Sequence, residues 1–188
     1  MKTEILSILQ QSLQTQQAMI QEIDSLCAIA NVLITAMKRG NKLMLCGNGG
    51  SAADAQHIAA EFVNRFLMNR RALPALALTT DTSILTAVGN DDVYDHVFVR
   101  QIEALAQPGD VLAAISTSGN SKNIIAAVQA AKRRQCATIG ITGASGGTLK
   151  GMTDVIFCAP SHQTPRIQEC HLVMWHSVCE IVEQALCS

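Results

Sequence analysis

The sequence predicts an α/β protein: a single doubly wound parallel sheet of five strands with flanking helices, preceded by an amino-terminal helical arm. Three observations lead there. Five short apolar runs, at 43–46, 75–78, 111–115, 137–142 and 155–159, have the length and aliphatic character of strands buried on both faces. Segments of helical periodicity separate most of them, the alternation that builds a parallel sheet. The first three runs each end in a polar turn, and ligands of such sheets bind beyond the carboxyl ends of the strands.

Residues 3 to 39 read as helix. Ile5, Leu6, Leu9 and Leu13 form an apolar stripe, Met19, Ile20 and Ile23 extend it, and 28–37 is a second apolar segment. Asp24 or Ser25 is placed to cap a second helix, and Gly40 to stop it. Such a preface is either an oligomerisation arm or a packing layer. The expected division is one domain, 1–188, with the arm at 1–40 and the α/β core at 41–188.

The first strand runs straight into Gly47-Asn48-Gly49-Gly50-Ser51, and an alanine-rich helix follows with Ser51 as its expected N-cap. Pro74 leads into the second strand, and the cluster Thr79 to Ser83 can cap a helix starting near Ile84. Gly89-Asn90-Asp91-Asp92 should break that helix, with another from Tyr94 to Ala106. Pro108-Gly109-Asp110 turns the chain into the third strand, which ends in Ser116-Thr117-Ser118-Gly119-Asn120-Ser121. Helix then runs to Arg134. A glycine-rich turn, 143–147, follows the fourth strand, Pro160 stops the fifth, and Arg166 to Leu186 reads as one long helix.

The whole chain, 188 residues, is long enough for a substantial core. It is 48% hydrophobic but 3% aromatic, so the core is aliphatic; 15% of residues are charged, below the ~25% usual in soluble domains. Positive mean hydropathy without a membrane span points to apolar surface hidden in an oligomer. A formal charge of −1 gives no reason to expect nucleic acid or a membrane as partner. No apolar stretch approaches the ~20 residues of a bilayer span, and the first residues lack a signal-peptide core. Seven cysteines without CxxC pairing read as small hydrophobes in a reduced, cytoplasmic protein.

Chemistry gathers at four places. Gly47, Gly49 and Gly50 let main-chain N–H groups approach a ligand, and the helix behind them aims the positive end of its dipole at the turn. That suits a phosphate or carboxylate, although no Lys-Ser/Thr follows as in a Walker A loop. Ser116, Thr117, Ser118 and Ser121 put four hydroxyls at another helix start, a phosphate site with no Lys or Arg. His57 and Glu61 stand four apart on one helical face. Gln168 and His176 interrupt the apolar last helix. Each feature has an ordinary reading, as tight packing, a capped turn, a surface pair or a core histidine; their combination is more specific.

His57, Glu61, Gln168 and His176 together offer donors for a hard or borderline metal such as zinc. Gln168 and His176 are eight apart, about 12 Å along a straight helix. Either that helix is distorted or a neighbouring subunit supplies one of them.

The segments CGNGGSAADAQHIAAEFVNRF, LTTDTS, VGND, ISTSGNS and RIQECH…H, in order over nearly the whole chain, resemble the SIS (sugar isomerase) fold. Within it they look most like the bacterial phosphoheptose isomerases. The resemblance implies a cytoplasmic homotetramer that isomerises sedoheptulose 7-phosphate to glycero-manno-heptose 7-phosphate, the entry to ADP-heptose for lipopolysaccharide core or other surface glycans. It implies a phosphate loop at Ser116, Thr117, Ser118 and Ser121, and substrate contacts from Asn48, Gly49, Gly50, Asn90, Asp91, Glu61 and Gln168. It further implies zinc, one per subunit, on His57, Glu61, Gln168 and His176, with Glu61 and His176 as the proton-transfer pair. Pro165, where some relatives carry an acid, and Ala60, where some carry a second glutamate, touch none of the four central positions.

Two non-catalytic readings share this scaffold. One is the DnaA initiator-associating regulator, whose flavour shows in Gln14-Thr15-Gln16; the other is a sugar-phosphate sensor. A regulator or sensor needs no acid/base pair, and this chain has Glu61 and His176.

Overall fold

The computed structural model describes residues 1–187. Five parallel strands, β1 (Leu43–Gly47), β2 (Ala75–Ala77), β3 (Val111–Ile115), β4 (Ala137–Gly143) and β5 (Val155–Ala159), form one sheet in the order β2-β1-β3-β4-β5. Alternate residues of the strands feed two cores. Leu43, Leu45, Val111, Ala113, Ile139 and Ile141 face α2 (Ile23–Lys38), α3 (Gly50–Val63) and α7 (Thr164–Cys187). Met44, Cys46, Leu112 and Ala114 face α5 (Val99–Leu105) and α6 (Lys122–Arg133). The doubly wound α/β architecture is therefore as the strand pattern predicts.

The arm divides earlier than the capping residues predicted. α1 (Lys2–Ala18) ends in a 3-10 turn, Met19–Glu22, and α2 starts at Ile23, ahead of Asp24 and Ser25. Joined this way, Lys2–Lys38 is long and apolar enough by length and composition to cross a membrane, which the sequence reading did not expect. Ile29, Leu33 and Met37 of the same run are packed into the protein core.

Two further boundaries differ. α4 (Thr82–Asp91) runs through Gly89 and Asn90 instead of breaking there. Its start is anchored by Asp81, which accepts the Ile84 N–H at 2.9 Å, and one glycine costs a helix only about 1 kcal/mol. The helix expected from Tyr94 begins as a 3-10 turn, Tyr94–His96, and becomes α5 only at Val99.

α7 is fixed to the sheet by His171, which is fully buried. Its Nε2 donates to the Thr142 carbonyl at 3.0 Å, and its ring meets Phe157 edge-on. Burial pushes this imidazole down from 6.5 to about 4, with the Thr142 hydrogen bond opposing. The unfolded chain therefore binds a proton that the folded one refuses between those values. Stability is full above pH 6.5 and falls as the pH drops toward 4, by about 3 kcal/mol at the low end. The acids held below their usual range, Asp110, Asp154 and Glu183, stabilise the fold at neutral pH and lose that contribution only as the pH falls below the ordinary carboxylate range. Urea unfolding at pH 7, 5 and 4 checks this: His171→Asn should lose most of the slope between 6.5 and 4, and an unchanged slope would assign it to other groups.

Candidate active site

β1 and β3 pair in register, Gly47 beside Ile115, so the turns that follow them open side by side. This is where the strand order reverses, the place for a ligand crevice. The chain leaves β1 so sharply that Gly49 adopts φ +55° and becomes the N-cap of α3. That conformation belongs to glycine. Ser51, the expected cap, is instead buried inside the first turn of the helix.

The two turns are tied together. Asn48 Nδ2 donates to Asn123 Oδ1 at 2.9 Å, and Asn123 Nδ2 donates back to Asn48 Oδ1 at 2.8 Å. The Tyr94 hydroxyl donates to the same Asn48 oxygen at 3.3 Å. In the serine loop, Ser116 Oγ lies 3.0 Å from Ser121 Oγ and 3.4 Å from Ser118 Oγ. Thr117 holds the loop by its carbonyl, which accepts the Gly143 N–H. No side-chain oxygen caps α6, so its dipole and first N–H groups are left for a ligand.

α3 and α7 run side by side in the same direction. At the crevice end, the Gln168 amide is pressed on Gly50, where an added Cβ would stand 2.3 Å from Nε2. Seven residues further, about 10 Å along α3, His57 Nε2 lies 3.0 Å from Glu61 Oε1. The His57 ring meets the His176 ring edge-on at 5.2 Å, and Phe66 covers the other imidazole at 5.5 Å. Three of the four expected metal donors thus converge within one chain, and Gln168 stands apart with Gly50. α7 is continuous across the eight-residue gap, so helix distortion is not how Gln168 and His176 could meet.

Two imidazoles and a carboxylate suit zinc in kind. Among the described residues, however, no three His, Cys, Asp or Glu side chains are close enough to hold an ion as they stand. The remaining expected contacts, Asn90 and Asp91, are exposed at the end of α4 and hydrogen-bond each other at 2.8 Å. Among the described residues, neither side chain has a hydrogen bond to any of the other expected site residues.

Sequence reasoning missed Asn123 and Asp54. Asp54 lies on the same stripe of α3 as Gly50, His57 and Glu61, a spacing that was legible. It is buried with Oδ2 unpartnered; burial pushes its carboxyl up, and His57 pulls it back. Beyond His57, Cys179 is pushed up to about 12, by burial first and then by the negative charge of Glu61.

The SIS domain family model matches residues 4–143. The phosphoheptose isomerase of Roseiflexus sp. (strain RS-1) is 56% identical over 181 residues, 96% of this chain and 89% of the relative. That of Geobacter metallireducens is 52% identical over 187 residues, 99% of each chain. The solved phosphoheptose isomerase GmhA from Neisseria gonorrhoeae superposes with a TM-score of 0.93 at 41% identity, covering 97% of this chain and 98% of its own. With such identity over the whole length, the chain belongs to the SIS-domain phosphoheptose isomerase family.

Proposed function

We propose that this protein is an aldose–ketose isomerase converting D-sedoheptulose 7-phosphate to D-glycero-D-manno-heptose 7-phosphate, the first step toward ADP-heptose for a surface glycan. The observation that carries the reading is the convergence of His57, Glu61 and His176 on the seam between α3 and α7. A regulator or sensor on this scaffold has no use for that cluster. The distance from Gly50 to His57, about 10 Å along the helix, is of the order of an extended seven-carbon sugar phosphate. Incubation with sedoheptulose 7-phosphate in D₂O, followed by proton NMR, tests it: the aldose anomeric signal should appear with deuterium incorporated next to the carbonyl. No conversion would sink the proposal.

Moving a carbonyl from C2 to C1 needs a proton taken from one carbon and given to its neighbour through an ene-diol. A general base must lie within hydrogen-bond reach of that proton. Glu61 and His176 share the work, one at each carbon. His57 orients the carboxylate through its 3.0 Å contact with Oε1. Ser116, Thr117, Ser118 and Ser121 hold the phosphate at the uncapped start of α6, with Asn48, Gly49, Gly50, Asn90 and Asp91 along the sugar. Holding the phosphate fixes the reacting end at the far side of the site, so binding energy is used for position.

Zinc, one per subunit, belongs to this reading: His57, Glu61 and His176 would hold it, with Gln168 as the fourth donor. When bound it supplies an electrophile for the developing enediolate oxygen. To complete such a set, Gln168 would have to leave Gly50 or come from a neighbouring subunit. Chelation should lower turnover at least ~10-fold and added zinc restore it, with circular dichroism unchanged. Full activity in protein shown to be metal-free by elemental analysis would remove the metal from the mechanism.

Assembly is the remaining part. Ile5, Leu6, Ile8, Leu9 and Leu13 of α1 and Ile20 and Ile23 beyond it are all more than half exposed, a row too apolar to be left in water. A cytoplasmic homotetramer covers it. Sedimentation should give four chains per particle, and a monomer at micromolar concentration would refute the assembly.

A further inference from the structure

The segment between α3 and β2 carries a buried ion pair that the chemistry above does not use. Arg70 Nε donates to Glu183 Oε1 at 2.8 Å, and both side chains are almost wholly buried, 3% and 2% exposed. Taking two charges out of water is costly, and replacing such a pair with apolar residues is often neutral or stabilising. A pair kept here calls for a reason in what it holds.

It holds both halves of the site. On the α3 side, Arg70 Nη2 donates to the main-chain carbonyl of Glu61 at 2.8 Å and Nη1 to that of Phe62 at 2.9 Å. The guanidinium thereby donates to two carbonyls of the last turn of α3, where the helix supplies no partner of its own; that of Phe62 also accepts the Leu73 N–H, and that of Glu61 belongs to the residue whose carboxylate faces His57. On the α7 side, Glu183 accepts the main-chain N–H groups of Phe66, Leu67 and Met68 at 2.7–2.9 Å. Phe66 is the residue whose ring lies on His176. Glu183 itself stands seven residues after His176, two turns along the same face of α7. One planar fork and one carboxylate therefore join the backbone of Glu61, the ring over His176 and the helix that carries His176.

We propose that Arg70 and Glu183 are positioning residues for the proton-transfer pair: their buried contact sets the Glu61 end of α3 against His176 on α7. The proposal rests on Glu61 and His176 being that pair. Lysine at 70 keeps the charge but is a point donor, unable to reach Glu183 and two carbonyls in one plane. Glutamine at 183 keeps the shape but turns an N–H₂ group toward donors. Either change loosens the seam by a fraction of an ångström to an ångström, and misplacement of that size can cost ~10²-fold in rate.

The test uses the full-length assembled protein. Arg70→Lys and Glu183→Gln are compared with the wild type and with Asp154→Asn. Asp154 accepts the main-chain and hydroxyl hydrogens of Thr138 at the amino end of β4, away from the turns at the strands' carboxyl ends, so its loss is structural only. Turnover of sedoheptulose 7-phosphate should fall at least ~10-fold in both clasp variants, with KM within about 2-fold. Asp154→Asn should lower the thermal midpoint and keep its turnover. A second readout needs no activity: in metal-free protein with ¹⁵N-labelled histidine, the resonances of His57 and His176 should move in the clasp variants, and those of His96 and His162 should not. Folded Arg70→Lys protein with wild-type turnover and unmoved His57 and His176 resonances overturns the proposal.

Should neither clasp variant fold, Phe66→Leu decides. It keeps the N–H bond to Glu183 and removes the ring from His176, so turnover should fall at least ~5-fold and the His176 resonance shift; normal turnover and spectra overturn the clasp. If the wild type does not isomerise this sugar, the assigned activity fails, and the histidine spectra still decide on the clasp.

Discussion

Glu61→Gln lowers turnover by at least ~10²-fold, the range for lost acid/base catalysis, and leaves the fold in place. The amide keeps the shape of the carboxylate and can still bond His57, but it cannot accept a proton from carbon. His176→Gln is expected to do the same from the other side of the seam. Neither should cost much stability, because the His57–Glu61 pair is part-exposed, 42% and 24%, and such pairs contribute a few tenths of a kcal/mol. Turnover and circular dichroism on each variant check both halves. Near-normal isomerisation by a folded variant would take that residue out of the chemistry. Mixing the two inactive chains after dissociation adds a geometric check: Glu61 and His176 both adjoin the His57 ring of the same chain, so the mixed oligomers should stay inactive. Recovered activity would mean that the working pair forms between subunits.

The sheet was legible because its strands are buried on both faces. Val111–Ile115 and Val155–Ala159 could be bounded to the residue, since an apolar run between turn residues has no competing reading. The misreadings fall where local chemistry and context pull apart. Gly89-Asn90-Asp91 is a breaker by composition, yet the Asp81 cap carries α4 through it. Ser51 is a good cap by type, but the reversal after β1 needs positive φ, and only the glycine at 49 gives that freely.

The site was legible one helix at a time. Spacing alone puts His57 and Glu61 on one face of α3. What spacing cannot give is the rotation of α7 about its axis and its level against α3. Those are set by packing: His171 seated on Thr142 and the Gln168 amide laid on Gly50. They bring His176 level with His57 and leave Gln168 about 10 Å away. Asn123 was invisible for a similar reason. An asparagine in the first turn of a helix reads as a polar surface residue until Asn48, on a different strand's turn, is seen to pair with it.

Gly119→Ala should cripple the serine loop, proposed above to hold the phosphate, and the fold together. Gly119 has φ +67°, and a Cβ there would stand 2.1 Å from the Gly146 carbonyl oxygen, a main-chain atom that cannot swing aside. The contact is reciprocal, since a Cβ on Gly147, at φ +52°, would meet the Ser118 carbonyl oxygen at 2.4 Å. The serine loop is thus pressed backbone to backbone on the turn after β4, and that contact holds Ser116, Ser118 and Ser121 close together. Alanine pays the left-handed conformation, about 1–2 kcal/mol, and must also part the two turns. A total of roughly 3 kcal/mol or more, about 6–12 °C of thermal midpoint, is expected for a chain of this size. Gly40→Ala separates the two effects: Gly40 has φ +83° but nothing within 4 Å of an added Cβ, so it carries the conformational cost alone. At a temperature where both variants are folded, Gly119→Ala should raise KM at least ~10-fold through lost hydrogen bonds to the charged phosphate. Gly40→Ala should leave KM unchanged. Equal stabilities and equal KM values for the two would show that the loops part without strain and that the phosphate is held elsewhere.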